Sequence, residues 1–410
     1  YLEQSTRYIS YDSRFGGRYR YYRDPEIMES SFGARYIGDM DRIFDTYAHL
    51  VPQMQDFVRE QFPKHPDDGD FVYRQAVKAK AFDALRGLLP AASLSNVGIY
   101  GTGQAYEALL LRMRSHPLPE SRYYADLMLR ELRKVIPSFL ERVDREDRGV
   151  VWSEYLQETR EDTADVVAAL FPEGSIVDPS PTVRLVDFDP EGEVKMIASM
   201  MYPHSTMSED QLERRVAGMN HEDRMAVARA YVGDRRNRRH KPGRALERPF
   251  YRFDVLVDYG AFRDLQRHRM LSMDWQNLSP HHGYISSPLV NAAGMGPVYE
   301  EAMERSAALY DLLVDDFPDQ ASYAINLAYK IRFNMNINAR SAMHLIELRT
   351  TPQGHPSYRE VGQEMHRLIA EEAGHTVISE MMKFVDHTDE TDLERLQSER
   401  RAQEKRQSTK

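Results

Sequence analysis

The sequence has no cysteine, two tryptophans among 410 residues, and no apolar run approaching the length that crosses a bilayer. The first absence excludes disulfides, thiolate nucleophiles and thiolate-bound metals. The last argues against a membrane partner and for a soluble, cytoplasmic protein. Excess positive charge is missing as well: the net charge is −10, which argues against nucleic acid as a partner. The arginines are nevertheless clustered, as in Arg235-Arg236-Asn237-Arg238-Arg239-His240-Lys241, a run able to serve an anionic small molecule locally. His281 and His282 lack a spaced carboxylate, so a loop explains them better than a metal and no metal site is assigned.

A chain of this length exceeds one ordinary core, and two domains are expected. Between Asp144 and Pro181 the hydrophobic pattern weakens, with Pro172, Gly174, Pro179 and Pro181 as punctuation. The expected division is a first domain over 1–145, a linker over 146–182, a second domain over 183–385 and a charged tail over 386–410. Because the chain opens at Tyr1, inside what reads as functional sequence, an amino-terminal part of the first domain is expected to be missing.

Apolar spacing predicts helices over 42–62, 73–89, 104–113 and 123–143, and then over 193–201, 208–231, 299–317 and 358–384. Alternation predicts strands over 183–188 and 250–258. Tyr11, Tyr19, Tyr21 and Tyr22 interleave with Arg14, Arg18, Arg20 and Arg23. Such a run either stacks on bases or packs its tyrosines inward while the arginines face water.

Two stretches carry the chemistry. Arg267-His268-Arg269 follows the second strand and a short element over 261–266, at a place where ordered structure is expected to open into a loop. Two guanidiniums offer forked donors to phosphate or carboxylate, and a histidine between them can hydrogen-bond or move a proton near neutral pH. The plainer reading is a solvated basic turn. In Ile337–Arg349, helical spacing puts Arg340, His344 and Glu347 along one side and Arg349 at the end. His344 there either meets a ligand or pairs with a core carbonyl.

The halves echo each other. Arg86 precedes Arg114 by 28 positions, Ser322 precedes Arg349 by 27, and each interval is followed by a proline-containing turn and an amphipathic helix. An internal duplication is expected.

These residues resemble the flavin-dependent thymidylate synthases. That family's signature has Arg-His-Arg, two residues, Ser, one residue and Asn, followed by a Glu-Gln-Ser-like triplet, one residue and Arg-Tyr. Arg267-His268-Arg269-x-x-Ser272-x-Asp274 is similar to its first part, and Glu3-Gln4-Ser5-Thr6-Arg7-Tyr8 to its second. Glu247 resembles the family's flavin-proximal glutamate. Asn338-Ala339-Arg340, Leu348-Arg349 and His355 resemble its carboxy-terminal motif. The halves depart from the pattern in complementary ways. Trp275, Asn277, Ser279 and Ser322 stand where the family has a glutamate, a serine and two nucleotide-binding arginines. The first half keeps Glu3, Ser5, Arg7, Arg86 and Arg114 but has Gln104-Ala105-Tyr106 in place of Asn-x-Arg.

The resemblance implies an α+β fold of two tandem domains, each with antiparallel sheet and long helices. It implies FAD held by Glu247, Arg267, His268, Arg269, Ser272, Asn338, Arg340, His344 and His355. Nucleotide would be held by Glu3, Gln4, Ser5, Arg7, Arg86 and Arg349, with Arg349 also placed as the catalytic residue. The implied reaction is reductive methylation of dUMP to dTMP with methylenetetrahydrofolate as folate co-substrate and NADPH as reductant, at a composite site between the domains. A homodimer would then rebuild the family's tetramer as a pseudo-tetramer. Methylation of another pyrimidine nucleotide such as UMP, or a flavin- or nucleotide-binding protein without activity, are the alternatives. No protein nucleophile is implied, which agrees with the missing cysteine.

Overall fold

The computed structural model describes residues 2–4, 6, 9–66, 68–171 and 181–388. The second half is built on a four-stranded antiparallel sheet in the order β3-β4-β6-β5, formed by Val183–Phe188 (β3), Phe250–Asp258 (β4), Leu271–Trp275 (β5) and Lys330–Asn338 (β6). β4 and β6 pair along nine residues each, from Phe250 opposite Asn338 to Asp258 opposite Lys330. Their alternation explains the sheet. Tyr251, Phe253, Val255 and Val257 of β4, with Ile331, Phe333, Met335 and Ile337 of β6, are buried on one face while polar neighbours point away. In the first half the antiparallel sheet is a single short ladder, Leu2–Glu3 (β1) with Val97–Gly98 (β2).

The main helix of the first half runs over Gly33–Gln61 and buries Tyr36, Met40, Phe44, Tyr47, Val51, Met54 and Val58 at helical spacing. It packs against Asp70–Leu85 and, across the halves, against Gly296–Leu313. The tyrosine and arginine run takes the inward-packing form: Tyr11, Tyr19 and Tyr21 are buried against Phe44, and Arg14, Arg20 and Arg23 lie over their rings. Base stacking by these tyrosines is thereby ruled out.

Three long helices predicted from spacing are broken. Pro137 divides 123–143 into Pro119–Leu132 and Pro137–Leu140, because its ring starts a new helix and cannot continue the old one. Gly218-Met219-Asn220 divides 208–231, and the Asn220 side chain accepts from the amide of Asp223 to open the next helix. Gly374, at φ 67°, divides 358–384 into Pro356–Glu371 and Thr376–Met381. The 146–182 segment carries a 20-residue helix, Val151–Leu170, with Ser153 as its one buried residue.

The repeated segments meet each other. Arg86–Leu88 and Gln320–Ala324 are both short 3₁₀ turns, and the segments that follow them pair antiparallel at Pro90 and Asn326. Ala91 donates to Ile325 at 2.8 Å, Leu327 to Leu89 at 2.9 Å and Ala328 to Gly87 at 3.1 Å. One hydrophobic core accordingly runs through residues 9–92 and 183–382, while residues 110–143 keep a small core of their own. The seam between halves is core, not surface.

Candidate functional site

β4 ends at Asp258, and the chain turns at once into the helix Tyr259–Leu265. Asp258 caps this helix, its Oδ1 accepting from the Ala261 amide at 2.9 Å. The helix carries Arg263 and Asp264, and Arg267-His268-Arg269 follows directly. Met270 then takes φ 63°, a left-handed conformation costly for a residue with a Cβ, and the chain enters β5. The expected loop after Arg269 is therefore a strand, since Leu271 and Met273 pack onto the sheet edge beside β6.

From the first half, Glu3 pairs with Arg263 and lies 3.6 Å from Arg267. Arg86, 4% exposed, sits 3.7 Å from both Asp258 and Asp264. Asp264 also receives Arg267 and, at 3.4 Å, Arg349. Arg349 donates from Nε to His268 Nε2 at 2.8 Å, which leaves the imidazole proton on Nδ1. One network thus joins Glu3, Arg86, Arg267, His268 and Arg349 across the two halves, with Asp264 at its centre.

Its electrostatics follow from burial and neighbours. Burial alone raises a carboxyl's pKa, but at Asp264 the guanidiniums of Arg86, Arg349 and Arg267 outweigh it and hold the group below its usual range. His268 is pushed down to about 3, by burial first and then by Arg349, His344 and Arg267. Of the two roles open to this histidine, hydrogen bonding and proton movement, the geometry displays the first, with the ring accepting from Arg349. His344, whose ring centroid lies 5.9 Å from that of His268, is lowered by burial and by Lys241 and Arg238.

Beside the network opens a cleft of about 370 Å³ lined by Arg238, Lys241, Arg267, Arg269, Arg340 and Arg349, together with His268 and His344. Arg340 is fixed by Glu247 at 2.9 Å and by the Pro242 carbonyl at 2.9 Å. Arg235 lies beneath, 3% exposed and forked onto Glu347. Arg238, Lys241 and Arg269 make no ion pair among the described residues. Such a concentration of guanidiniums over a half-enclosed surface is suited to a diphosphate or another multiply charged anion.

Other expected site residues stand apart. Ser272 is exposed on β5, and Gln4 is exposed with its side chain on Asn96. The Asn338 side chain accepts from the Ser341 amide as the cap of the helix Ala339–Arg349. His355 caps Pro356–Glu371 and lines a second cavity. Ser5 and Arg7 lie outside the described residues. Arg114 is on the surface, paired with Asp126. Asp258, Arg263 and Asp264 were missed, because single charged residues on a short helix carry no spacing signal. The basic run around Arg235 was a visible signal, and it reaches the cleft through Arg235, Arg238 and Lys241.

A family model, thymidylate synthase complementing protein, matches residues 1–138 and 184–374. The chain belongs to this family. Two matched segments make it a tandem thymidylate synthase complementing protein, with the α+β architecture described above. It is 39% identical to a UPF0159 protein of Chlamydia pneumoniae over 98% of this chain and 75% of that protein. It is 37% identical to a UPF0159 protein of Chlamydia muridarum over the same shares. Among solved structures it is similar to a UMP/dUMP methylase PolB from Streptomyces cacaoi, at 16% identity and TM-score 0.40, covering 50% of this chain and 96% of that one. It is also similar to thymidylate synthase X of Helicobacter pylori solved with FAD and dUMP, at 17% identity and TM-score 0.35, covering 49% and 98%. Among the described residues no helix is long and apolar enough to cross a membrane.

Proposed function

We propose that this protein is a flavin-dependent methyltransferase acting on a pyrimidine nucleotide, with dUMP converted to dTMP, at a site composed from both halves of the chain. The observation that carries the reading is the ion-pair network in which Glu3 and Arg86 of the first half meet Arg263, Asp264, Arg267 and Arg349 of the second. Each half lacks part of the family's pattern, and the missing parts are supplied by the other. Ser322 spends its hydroxyl on the Asp319 carbonyl, while Arg86 stands beside Arg349 through Asp264.

The cationic cleft fits a dinucleotide cofactor by its donor set, and FAD is the group the family implies. Arg238, Lys241, Arg269 and Arg340 would neutralise the diphosphate, with Glu247 holding Arg340 at a fixed angle. Bound flavin would supply the electron transfer that no side chain here can perform. The protein's own part is placement and charge. His268, held neutral, accepts from Arg349 and so aims its guanidinium, and Arg349 stabilises negative charge developing on the pyrimidine ring. Glu3 and Arg86, with Ser5 and Arg7, hold the nucleotide. Methylenetetrahydrofolate serves as one-carbon donor and NADPH as reductant, and two chains associate as a pseudo-tetramer in the cytoplasm.

The visible spectrum of the purified protein, with flavin quantified per chain, tests the reading. About one flavin per chain is expected from a single composite site, and a colourless protein that takes up no added FAD sinks it. Side-by-side turnover of dUMP and UMP then fixes the nucleotide, and flavin binding without turnover of either leaves a binding protein.

A further inference from the structure

Among the described residues Met270 is the one non-glycine with a positive φ, and every other such position, as at Gly233, Gly283 and Gly294, carries the residue that has no Cβ to clash. A side chain is kept in this conformation where its surroundings over-determine it, and such residues gather at functional sites. Packing of the side chain is not what holds Met270. It is 74% exposed, so little apolar burial offsets the strain. The constraint comes from the backbone on either side. On one side the His268 amide donates to the Leu265 carbonyl at 3.2 Å, and the His268 ring accepts from Arg349 at 2.8 Å. On the other, Leu271 is already in register opposite Ile337 of β6. Arg269 and Met270 are all the chain that joins these two fixed points, and the left-handed residue turns it within that span.

What the turn delivers is Arg269. This residue is exposed, lines the cationic cleft and makes no ion pair among the described residues. Its neighbours on the cleft wall are aimed by carboxylates, Arg267 by Asp264 and Arg340 by Glu247. For Arg269 the backbone sets the direction. Glycine at position 270 would meet the required φ without strain, but it would open further backbone regions to this residue and leave Arg269 free to swing. A cation whose Cα is already fixed loses less freedom when it closes on an anion.

We propose that Met270 is a positioning residue: its left-handed backbone presets Arg269 on the wall of the cationic cleft, and the strain persists because the preset guanidinium binds a diphosphate more tightly. The inference rests on the functional reading above for the identity of that diphosphate as part of FAD. The role of Met270 is exerted through Arg269 and not through contact of its own side chain.

The test is a double-mutant cycle on the full chain with Met270→Gly, Arg269→Ala and the double variant, reading melting temperature and, by titration calorimetry, affinity for FAD and for inorganic pyrophosphate. Met270→Gly is expected to keep or raise the melting temperature, by up to about 3 °C, as the strain is relieved. Its affinities are expected to fall about three- to tenfold as Arg269 loses its direction. Arg269→Ala is expected to lose about tenfold or more, the range of one charged hydrogen bond. In the Arg269→Ala background, Met270→Gly is expected to change affinity by less than about twofold, because the group through which it acts is gone. Met270→Asn, which tolerates left-handed backbone, is expected to retain the wild-type affinity. Stability and affinity falling together in Met270→Gly, an unchanged affinity there, or the same loss with Arg269 already removed each overturn the proposal. Loss of affinity in Met270→Asn equal to that in Met270→Gly makes the thioether itself the contact and overturns it too. Pyrophosphate separates this inference from the flavin reading. A protein that takes up no FAD but shows the coupling with pyrophosphate keeps the inference and loses the reading, and FAD bound without coupling does the reverse. Binding of neither probe by wild type overturns both.

Discussion

Asp264→Asn tests whether the composite network is held by charge. The carboxylate lies 3.7 Å from Arg86 and 3.4 Å from Arg349, and it also pairs with Arg267. At an effective dielectric of about 20, each of the two longer contacts is worth roughly 4–5 kcal/mol gross. Asparagine keeps the shape and one acceptor and is spared the carboxylate's desolvation, so the net loss at neutral pH is expected to be about 2 kcal/mol. In a chain of this size that lowers the melting temperature by roughly 2–4 °C. The pH dependence has a fixed sign. The folded pKa of Asp264 is depressed, so its contribution is fully present above the unfolded value near about 4 and is lost as pH falls through the folded value. Melting curves of wild type and variant should therefore be separated at pH 7 and converge on acidification below about pH 4. Equal melting at pH 7, or a gap that widens on acidification, would refute the account.

Arg267→Ala removes a half-exposed cleft cation and is expected to weaken flavin retention with little change in melting temperature, whereas a large thermal loss with flavin still bound contradicts that role. His268 should show no titration between pH 5 and 8 by NMR and should carry its proton on Nδ1, because protonation would set a buried cation against Arg349. A midpoint near the ordinary histidine value would remove it as a fixed acceptor. Asn338→Ala is expected to cost about 1 kcal/mol through loss of the cap of Ala339–Arg349 while leaving flavin bound. Flavin lost at unchanged stability would instead make Asn338 a direct cofactor contact.

The strands β3 and β4 were legible because a half-buried sheet enforces a period of two, which Val183–Val186 and Phe250–Val257 keep before it lapses at the strand ends. Helix presence was legible for the same reason at the longer period. Helix ends were not, wherever one residue such as Pro137 or Gly374 interrupts an otherwise continuous apolar stripe. The Arg-His-Arg stretch and the helix bearing Arg340, His344 and Arg349 were visible as unusual residue types at fixed spacing, and the fold places them on one cleft. Asp258 and Asp264 are two among 64 acidic residues and have no local mark.

The sequence by itself determined the excluded chemistries, the duplication and the family, since absence, spacing and motif are properties of the chain read in order. Tertiary structure alone decided which residues share a site. Glu3 meets Arg263 across 260 positions, and His268 meets Arg349 across 81. It also decided the setting of His268, buried beside the Arg349 guanidinium. An imidazole's charge depends on how much water its burial removes and on which cation folding brings beside it.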